Sequence, residues 1–257
     1  MNEDDETWGK TIQSQEYWDT RYVNEKNTTF EWYCDYEQIG PLLEGILPKS
    51  SSILEIGCGN SELTLGLHHA GYTVVGTDYA AKQIEHLKQS HPQGPEFQHV
   101  DCRQLISKYG AMTFNAVVDK ACLDAMLSGG DEGKATAIET CVQVGQVLKE
   151  NGYFIVVSHA HPETELGNIL LSEIVLANVN VMEYRWDVDI HSTGGEMEEG
   201  GEAEEEEGEE EDGIHVYVFH KVKRASTRSR KRKRQTQQNL SLSDGMAEEF
   251  RIQRHFH

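Results

Sequence analysis

The stretch Ile53-Leu54-Glu55-Ile56-Gly57-Cys58-Gly59-Asn60-Ser61 decides how this chain is read. An apolar run ends in two glycines one residue apart, and a helix-like segment, Glu62 to Ala70, follows at once. A second apolar run, Thr73 to Thr77, ends in Asp78. The order is strand, glycine turn, helix, strand, acid. Glycines let the backbone turn sharply and approach a ligand closely, and a helix N-terminus offers unpaired N–H groups. An acid closing the second strand, about 20 residues on, is placed to accept hydrogen bonds from a ribose. The pattern predicts a site for a ligand containing adenosine.

Outward from this stretch the pattern repeats. Ala80 to Ser90 reads as a helix, Glu96 to Val100 as a strand ending in Asp101, and Arg103 to Lys108 as a short helix at most. Phe114 to Val118 is an apolar run ending in Asp119-Lys120. Glu132 to Lys149 has helical periodicity, Asn151-Gly152 reads as a turn, Tyr153 to Val157 as a fifth strand and Pro162 to Ala177 as a helix. Strands alternating with helices argue for a parallel sheet covered on both faces. Val179 to Trp186 and Ile214 to Val222 then read as two strands with no helix between them, which pair as an antiparallel hairpin. The fold class is therefore α/β, a Rossmann-like seven-stranded sheet, mostly parallel with the last strand antiparallel, and helices on both faces.

In such a sheet, ligands bind beyond the carboxyl ends of the strands. Four consecutive strand ends carry Gly57/Gly59, Asp78, Asp101 and Asp119-Lys120. Asp78 is expected to hold the ribose hydroxyls, and Asp101 with the Cys102 backbone to read the adenine edge. Lys120 is expected where the strand order reverses, near the reacting end of the ligand. Before the first strand lies an aromatic cluster: Tyr17, Trp18, Tyr22, Phe30, Trp32, Tyr33 and Tyr36. Gln15 to Tyr22 reads as a helix with Trp18 and Tyr22 on one face, and Tyr36 to Leu47 as a helix stopped by Pro48. The rings have two readings, a cap on the core or a lid over a bound cofactor.

Charge divides the rest. The net charge of −21 over 257 residues is unevenly spread. Glu196 to Asp212 is nearly all acidic residues and glycine, whereas Lys221 to Arg234 is mostly basic. Such blocks repel themselves and bury no apolar surface, so both are expected to be solvated. The acidic run is read as an insertion, about residues 190–213, at the hairpin tip, since closure entropy grows only logarithmically with loop length. Arg228 to Arg234 reads as a nuclear-import or nucleic-acid patch, a solvated tail, or a partner for the acidic run. Stacking aromatics are absent from Arg224 to Gln238, which argues against a single-strand binding module. No apolar run is long enough to span a membrane, and no signal-peptide pattern is present. The five scattered cysteines, with no CxxC pair, fit reduced thiols inside a cell, and the histidines lack ligand-like spacing, so no metal is expected.

The segments Glu55-Ile56-Gly57-Cys58-Gly59-Asn60-Ser61, Gly76-Thr77-Asp78-Tyr79 and Asp119-Lys120-Ala121-Cys122-Leu123-Asp124-Ala125 together resemble the seven-strand S-adenosylmethionine-dependent methyltransferases. Tyr17-Trp18-Asp19 with Arg21-Tyr22, then Phe30-Glu31-Trp32-Tyr33, resembles more narrowly the methyltransferase-like family that includes the elongation factor 1A lysine methyltransferases. The resemblance covers about residues 15 to 160. It implies S-adenosyl-L-methionine as cofactor, with Trp18, Tyr22, Trp32, Gly57, Asp78, Tyr79, Asp101, Cys102 and Lys120 around it, and it favours the lid. It divides the chain into a flexible N-terminus, 1–14, a methyltransferase domain, 15–222, and a basic tail, 223–257. The acidic insertion and the basic tail fall outside it.

The resemblance implies an enzyme that transfers a methyl group, in this family to a protein lysine. No catalytic base is named, for Asp119 and solvent serve equally well as proton acceptor. Trp18, Tyr22 or Trp32 offer cation–π contact to the positive sulfur. A basic protein partner suits the acidic chain, the basic tail leaves nucleic acid open, and the compartment expected is the cytoplasm, with the nucleus as a second site. Alternatives are a small-molecule or other-residue methyltransferase, a catalytically silent adaptor acting through its charged segments, and a dinucleotide oxidoreductase. The last lacks the third glycine of GxGxxG, since Glu62 stands in its place.

Overall fold

The structure, a computed structural model, describes residues 14–24, 31–60, 62–163, 167, 171, 183–193, 213–224 and 251–256. The acidic run, Phe30, most of the expected helix from Pro162 to Ala177 and the basic run beyond Arg224 lie outside the described residues.

Seven strands form the body of one sheet. In chain order they are β1 (Ser52–Ile56), β2 (Thr73–Asp78), β3 (Glu96–His99), β4 (Phe114–Lys120), β5 (Leu148–Ser158), β6 (Tyr184–Thr193) and β7 (Ile214–Lys223). Their spatial order is β3-β2-β1-β4-β5-β7-β6. The first five run parallel, and β7 is antiparallel to both β5 and β6. The expected sheet, including its antiparallel last strand, is what forms. An eighth strand, β8 (Arg251–Phe256), adds parallel to the outer edge of β6 and has no counterpart in the sequence reading.

Residues alternate between faces with a period of two, as pleating requires. Leu54, Ile56, Val117, Phe154, Val156, Tyr217 and Phe219 pack into one buried layer. Ile53, Ala116, Val118, Ile155, Val157, Val216 and Val218 pack into the other. Both faces are covered, which is why these strands read as continuous apolar runs. The helices α1 (Gln15–Asn24), α2 (Tyr36–Ile46), α3 (Glu62–His69) and α4 (Ala81–Ser90) precede β3. Ile39 and Leu43 of α2 and Leu63 and Leu67 of α3 bury on the second layer. After β3 come a 3₁₀ turn (Cys102–Gln104), α5 (Leu105–Tyr109), α6 (Cys122–Leu127) and α7 (Gly130–Val147), and α7 buries Ala137, Cys141, Val144 and Val147 on the first layer.

Three elements differ from expectation. Helix α6 was not foreseen, because the chain enters it through Ala121 at φ 68, a left-handed residue with no side-chain cap to announce it. Asn151-Gly152 does not reverse the chain. Strand β5 begins at Leu148, and its pairing with β4 shifts register between Leu148 and Tyr153, with Asn151 at φ 61. The irregularity absorbs the turn residues inside the strand. Strand β6 starts within the expected segment but runs on to Thr193, so Thr193 and Ile214 pair at the hairpin's far end.

Candidate active site

Strand order reverses between β1 and β4, and a cavity of about 600 Å³ opens above their carboxyl ends. All ten residues expected around a cofactor line it: Trp18, Tyr22, Trp32, Gly57, Gly59, Asp78, Tyr79, Asp101, Cys102 and Lys120. Its size lies within the ordinary range for a small-molecule site.

The floor is built by the glycine turn. Gly57 and Gly59 have φ of +62° and +50°, in the left-handed region that side chains disfavour. A Cβ on Gly59 would stand 2.7 Å from the Tyr22 hydroxyl, and one on Gly57 2.5 Å from the Cys122 sulfur. Asp78 is buried, and its carboxyl oxygens accept three backbone N–H groups, from Gly59 at 2.9 Å, from Ala80 at 2.8 Å and from Tyr79. Burial pushes its carboxyl up to about 6, against the pull of those N–H groups. A carboxylate offers about four acceptor sites, so Asp78 keeps capacity for a further hydroxyl.

The roof comes from the N-terminal segment. The Gln15 amide donates to the Tyr79 carbonyl at 2.9 Å and ties α1 to the end of β2. Trp18 and Tyr22 lie 5.5 Å apart between ring centres. The Arg21 guanidinium sits 5.4 Å from the Trp18 ring and 5.2 Å from the Trp32 ring. The two tryptophans expected to face a cationic ligand therefore already hold a cation of the protein's own. Arg21 was missed as a site residue, although it stands within the N-terminal motif.

Lys120 is buried, but its ammonium does not point free into the cavity. It pairs with Glu31 at 2.6 Å and donates to the Trp32 carbonyl at 3.0 Å. The other Glu31 oxygen accepts from the N–H of Glu62 at the start of α3. Lys120 thus fastens the roof to the end of β4. Asp101 is bound by the Arg103 guanidinium, whose closest contact is 2.6 Å. That pair sits half-exposed at the cavity's edge beside Cys102. Asp119, considered as a proton acceptor, does not line the cavity. It is fully buried, one oxygen accepts from the Leu123 N–H at 3.1 Å, and burial raises its carboxyl well above the usual range. The acid that does line the cavity is Asp124. Sequence reasoning gave Asp124 no role of its own, because α6 was not expected to turn it inward. Tyr33 and His159 join it at that end. Among the described residues, no group of three or more His, Cys, Asp or Glu is placed to hold a metal.

Comparison with known proteins agrees with this geometry. Residues 54–156 match the family described as a methyltransferase domain. The chain is also 31% identical over 156 residues to the mouse (Mus musculus) eEF1A lysine and N-terminal methyltransferase, an alignment covering 59% of this chain and 22% of that protein. It is 32% identical over 158 residues to mouse EEF1A lysine methyltransferase 4, covering 57% of this chain and 61% of that protein. The chain thus spans about a fifth of the length of the first relative and about three fifths of the second. A TehB-like SAM-dependent methyltransferase from Corynebacterium glutamicum shares the fold, with a TM-score of 0.51 at 17% identity over 82% of this chain and 98% of that one.

The cofactor this methyltransferase domain implies is S-adenosylmethionine, and the residues fit it. Asp78 keeps acceptor capacity for a ribose hydroxyl beside a glycine floor that a single Cβ would obstruct. Cys102 and Arg103 border the side next to β3, where a base would lie, and Arg21 supplies a guanidinium suited to a carboxylate.

Proposed function

We propose that this chain is an S-adenosylmethionine-dependent methyltransferase acting on a lysine side chain of a basic protein, of the elongation factor 1A type. The observation that carries the cofactor half is the cavity at the switch point. It joins the glycine floor, the Asp78 carboxylate and the aromatic roof. Support for the protein half comes from the likeness to the two mouse methyltransferases and from the acidic character of the chain.

When bound, the cofactor supplies a methyl group on a sulfonium, already activated for displacement. The protein's task is then alignment and exclusion of water. Asp78 fixes the sugar. Trp18, Tyr22 and Trp32 close over the cavity, held down by the Lys120–Glu31 pair and the Gln15–Tyr79 bond. Among the described residues no helix is long and apolar enough to cross a membrane. A cytoplasmic site of action, with a nuclear fraction directed by the Lys/Arg run at Arg228 to Arg234, belongs to the same proposal. It is supported by the five free cysteines and the basic run itself.

The test begins with calorimetric titration of the full chain with S-adenosylmethionine, with NAD and an Asp78→Ala variant as controls. Saturable binding is expected for the first ligand alone, weakened about tenfold or more in the variant, as befits loss of a charged acceptor. Labelled-methyl transfer into recombinant elongation factor 1A then tests the acceptor. A folded protein that binds no S-adenosylmethionine overturns the enzyme, and binding with methyl transfer only into small molecules overturns the lysine.

A further inference from the structure

The end of the cavity away from Asp78 is not needed by a nucleoside and carries chemistry of its own. It lies where β4 and β5 end. Asp124, on α6, is buried there. Its Oδ1 accepts from the Ser158 hydroxyl at 2.7 Å, while its Oδ2 is buried and, among the described residues, has only the Tyr33 hydroxyl and the His159 ring beside it as donors, neither in good hydrogen-bond geometry. Beside that oxygen the Tyr33 hydroxyl and His159 Nδ1 form a hydrogen bond of 2.7 Å, and Nδ1 stands 3.8 Å from Oδ2. The His159 side chain is 62% exposed, so the cluster runs from the buried carboxylate to solvent. Tyr33 reaches it from a backbone at φ 65, a conformation that costs a bulky residue energy and persists only where surroundings enforce it.

A buried carboxylate oxygen so loosely donated to is costly, and it keeps acceptor capacity that a ligand's N–H can fill. Around Oδ2 stand a tyrosine, a histidine and the neighbouring acid Asp119, with no lysine or arginine paired to it among the described residues. A small cation that enters beside Tyr33 would meet a buried carboxylate with no described lysine or arginine to neutralise it. We infer that Asp124, Tyr33 and His159 form the subsite that receives the acceptor's primary ammonium, with Asp124 Oδ2 taking an N–H and then its proton, and the His159 ring passing that proton to water. The inference deepens the methyltransferase reading and rests on it for the identity of the acceptor. An ammonium has no lone pair until it loses a proton. The proton leaves the ammonium nitrogen, sits on Oδ2 and is taken by Nδ1, while Nε2 of the same ring releases a proton to solvent, and nothing is oxidised or reduced. Burial holds the Asp124 carboxyl above its ordinary range, against the pull of Ser158, His159 and Tyr33, which makes it a better proton acceptor than a surface acid.

The test uses the full chain saturated with S-adenosylhomocysteine, labelled with ¹⁵N at histidine, and n-butylammonium as the end of a lysine side chain. A saturable shift of the His159 ring resonances is expected, and none with n-butanol. The His159→Gln variant assigns those resonances. In Asp124→Asn the butylammonium affinity should fall at least tenfold while S-adenosylmethionine binding stays within about twofold, because the cofactor end is untouched. No saturable shift in the unmodified protein, or equal affinity in Asp124→Asn, overturns the inference. Methyl transfer into elongation factor 1A separates the two levels. Absent transfer with butylammonium binding that depends on Asp124 leaves the subsite standing and sinks the substrate. Undiminished transfer in Asp124→Asn sinks the subsite and leaves the enzyme, whereas a fall of about 100-fold supports it. Should Asp124→Asn not fold, His159→Gln alters a largely exposed ring. Transfer is then expected to fall at least tenfold at unchanged cofactor affinity, and undiminished transfer overturns the relay.

Discussion

Asp78 shows how one residue couples fold and ligand. Its carboxyl is raised to about 6 from 3.8 because burial penalises the charge, yet a ribose needs the ionised form as acceptor. Proton and cofactor compete for the same oxygens. Affinity for S-adenosylmethionine should therefore fall about tenfold per pH unit below about pH 6 and level off above about pH 7. Calorimetry across that range checks it, and Asp78→Asn should bind weakly with no such slope. Stability runs in the opposite direction. The native state binds this proton more tightly than the unfolded chain, so the contribution of Asp78 to stability falls as pH rises from about 4 to about 6. Gly59 makes a separate prediction. A methyl group there meets the Tyr22 hydroxyl and leaves φ at +50°. Gly59→Ala should cost about 1–2 kcal/mol, read as a lowered midpoint in denaturant, and weaken the cofactor because Tyr22 must move.

At the scale of elements, the roof depends on a buried ion pair. Glu31 joins Lys120 at the end of β4 to the first N–H of α3, and Lys120 also holds the Trp32 carbonyl. Removing one partner strands the other charge. Lys120→Met should destabilise by about 3 kcal/mol in chemical denaturation, and adding Glu31→Gln should recover most of that, since the amide oxygen still accepts from Glu62. Single and double variants losing equally little would show that the roof is held otherwise. This pair also marks the limit of what the sequence made legible. The alternation of apolar runs with helical periodicity located β1 to β5, α3 and α4, and the strand-end glycines together with Asp78, Asp101 and Lys120 all line the cavity. Each rested on a local pattern. The Glu31–Lys120 pair joins positions 89 apart, and nothing near either residue announces it. Helix α6 starts from a left-handed alanine without a cap, so Asp124 had no visible direction and Asp119, five positions earlier on β4, was considered instead. Register decides which of two nearby acids meets the cavity, and register is a property of the folded sheet.

For the whole molecule, the sheet divides the labour. Asp78 and Cys102 lie on the side of β2 and β3, whereas Asp124 and His159 lie on the side of β4 and β5. The hairpin of β6 and β7 extends the second side. His215 of β7 pairs with Ser158, the residue before His159, and Ile214 pairs with Thr193. The ends of β6 and β7, between which the acidic run falls in the sequence, therefore lie beside the proposed acceptor end. Concentrated negative charge at that point should raise the local concentration of a basic protein and screen away with salt. Replacing residues 195–212 by an Asn-Gly turn tests this, because strands already paired at Thr193 and Ile214 need only a short connection. Loop closure changes little with length, so the melting temperature and S-adenosylmethionine affinity should stay as they are. KM for elongation factor 1A should rise about fivefold or more at low ionic strength, and the difference should vanish at roughly 1 M salt, where screening acts within about 3 Å. An unchanged KM at low salt would mean that the acidic run steers no substrate and that the cavity itself selects the acceptor.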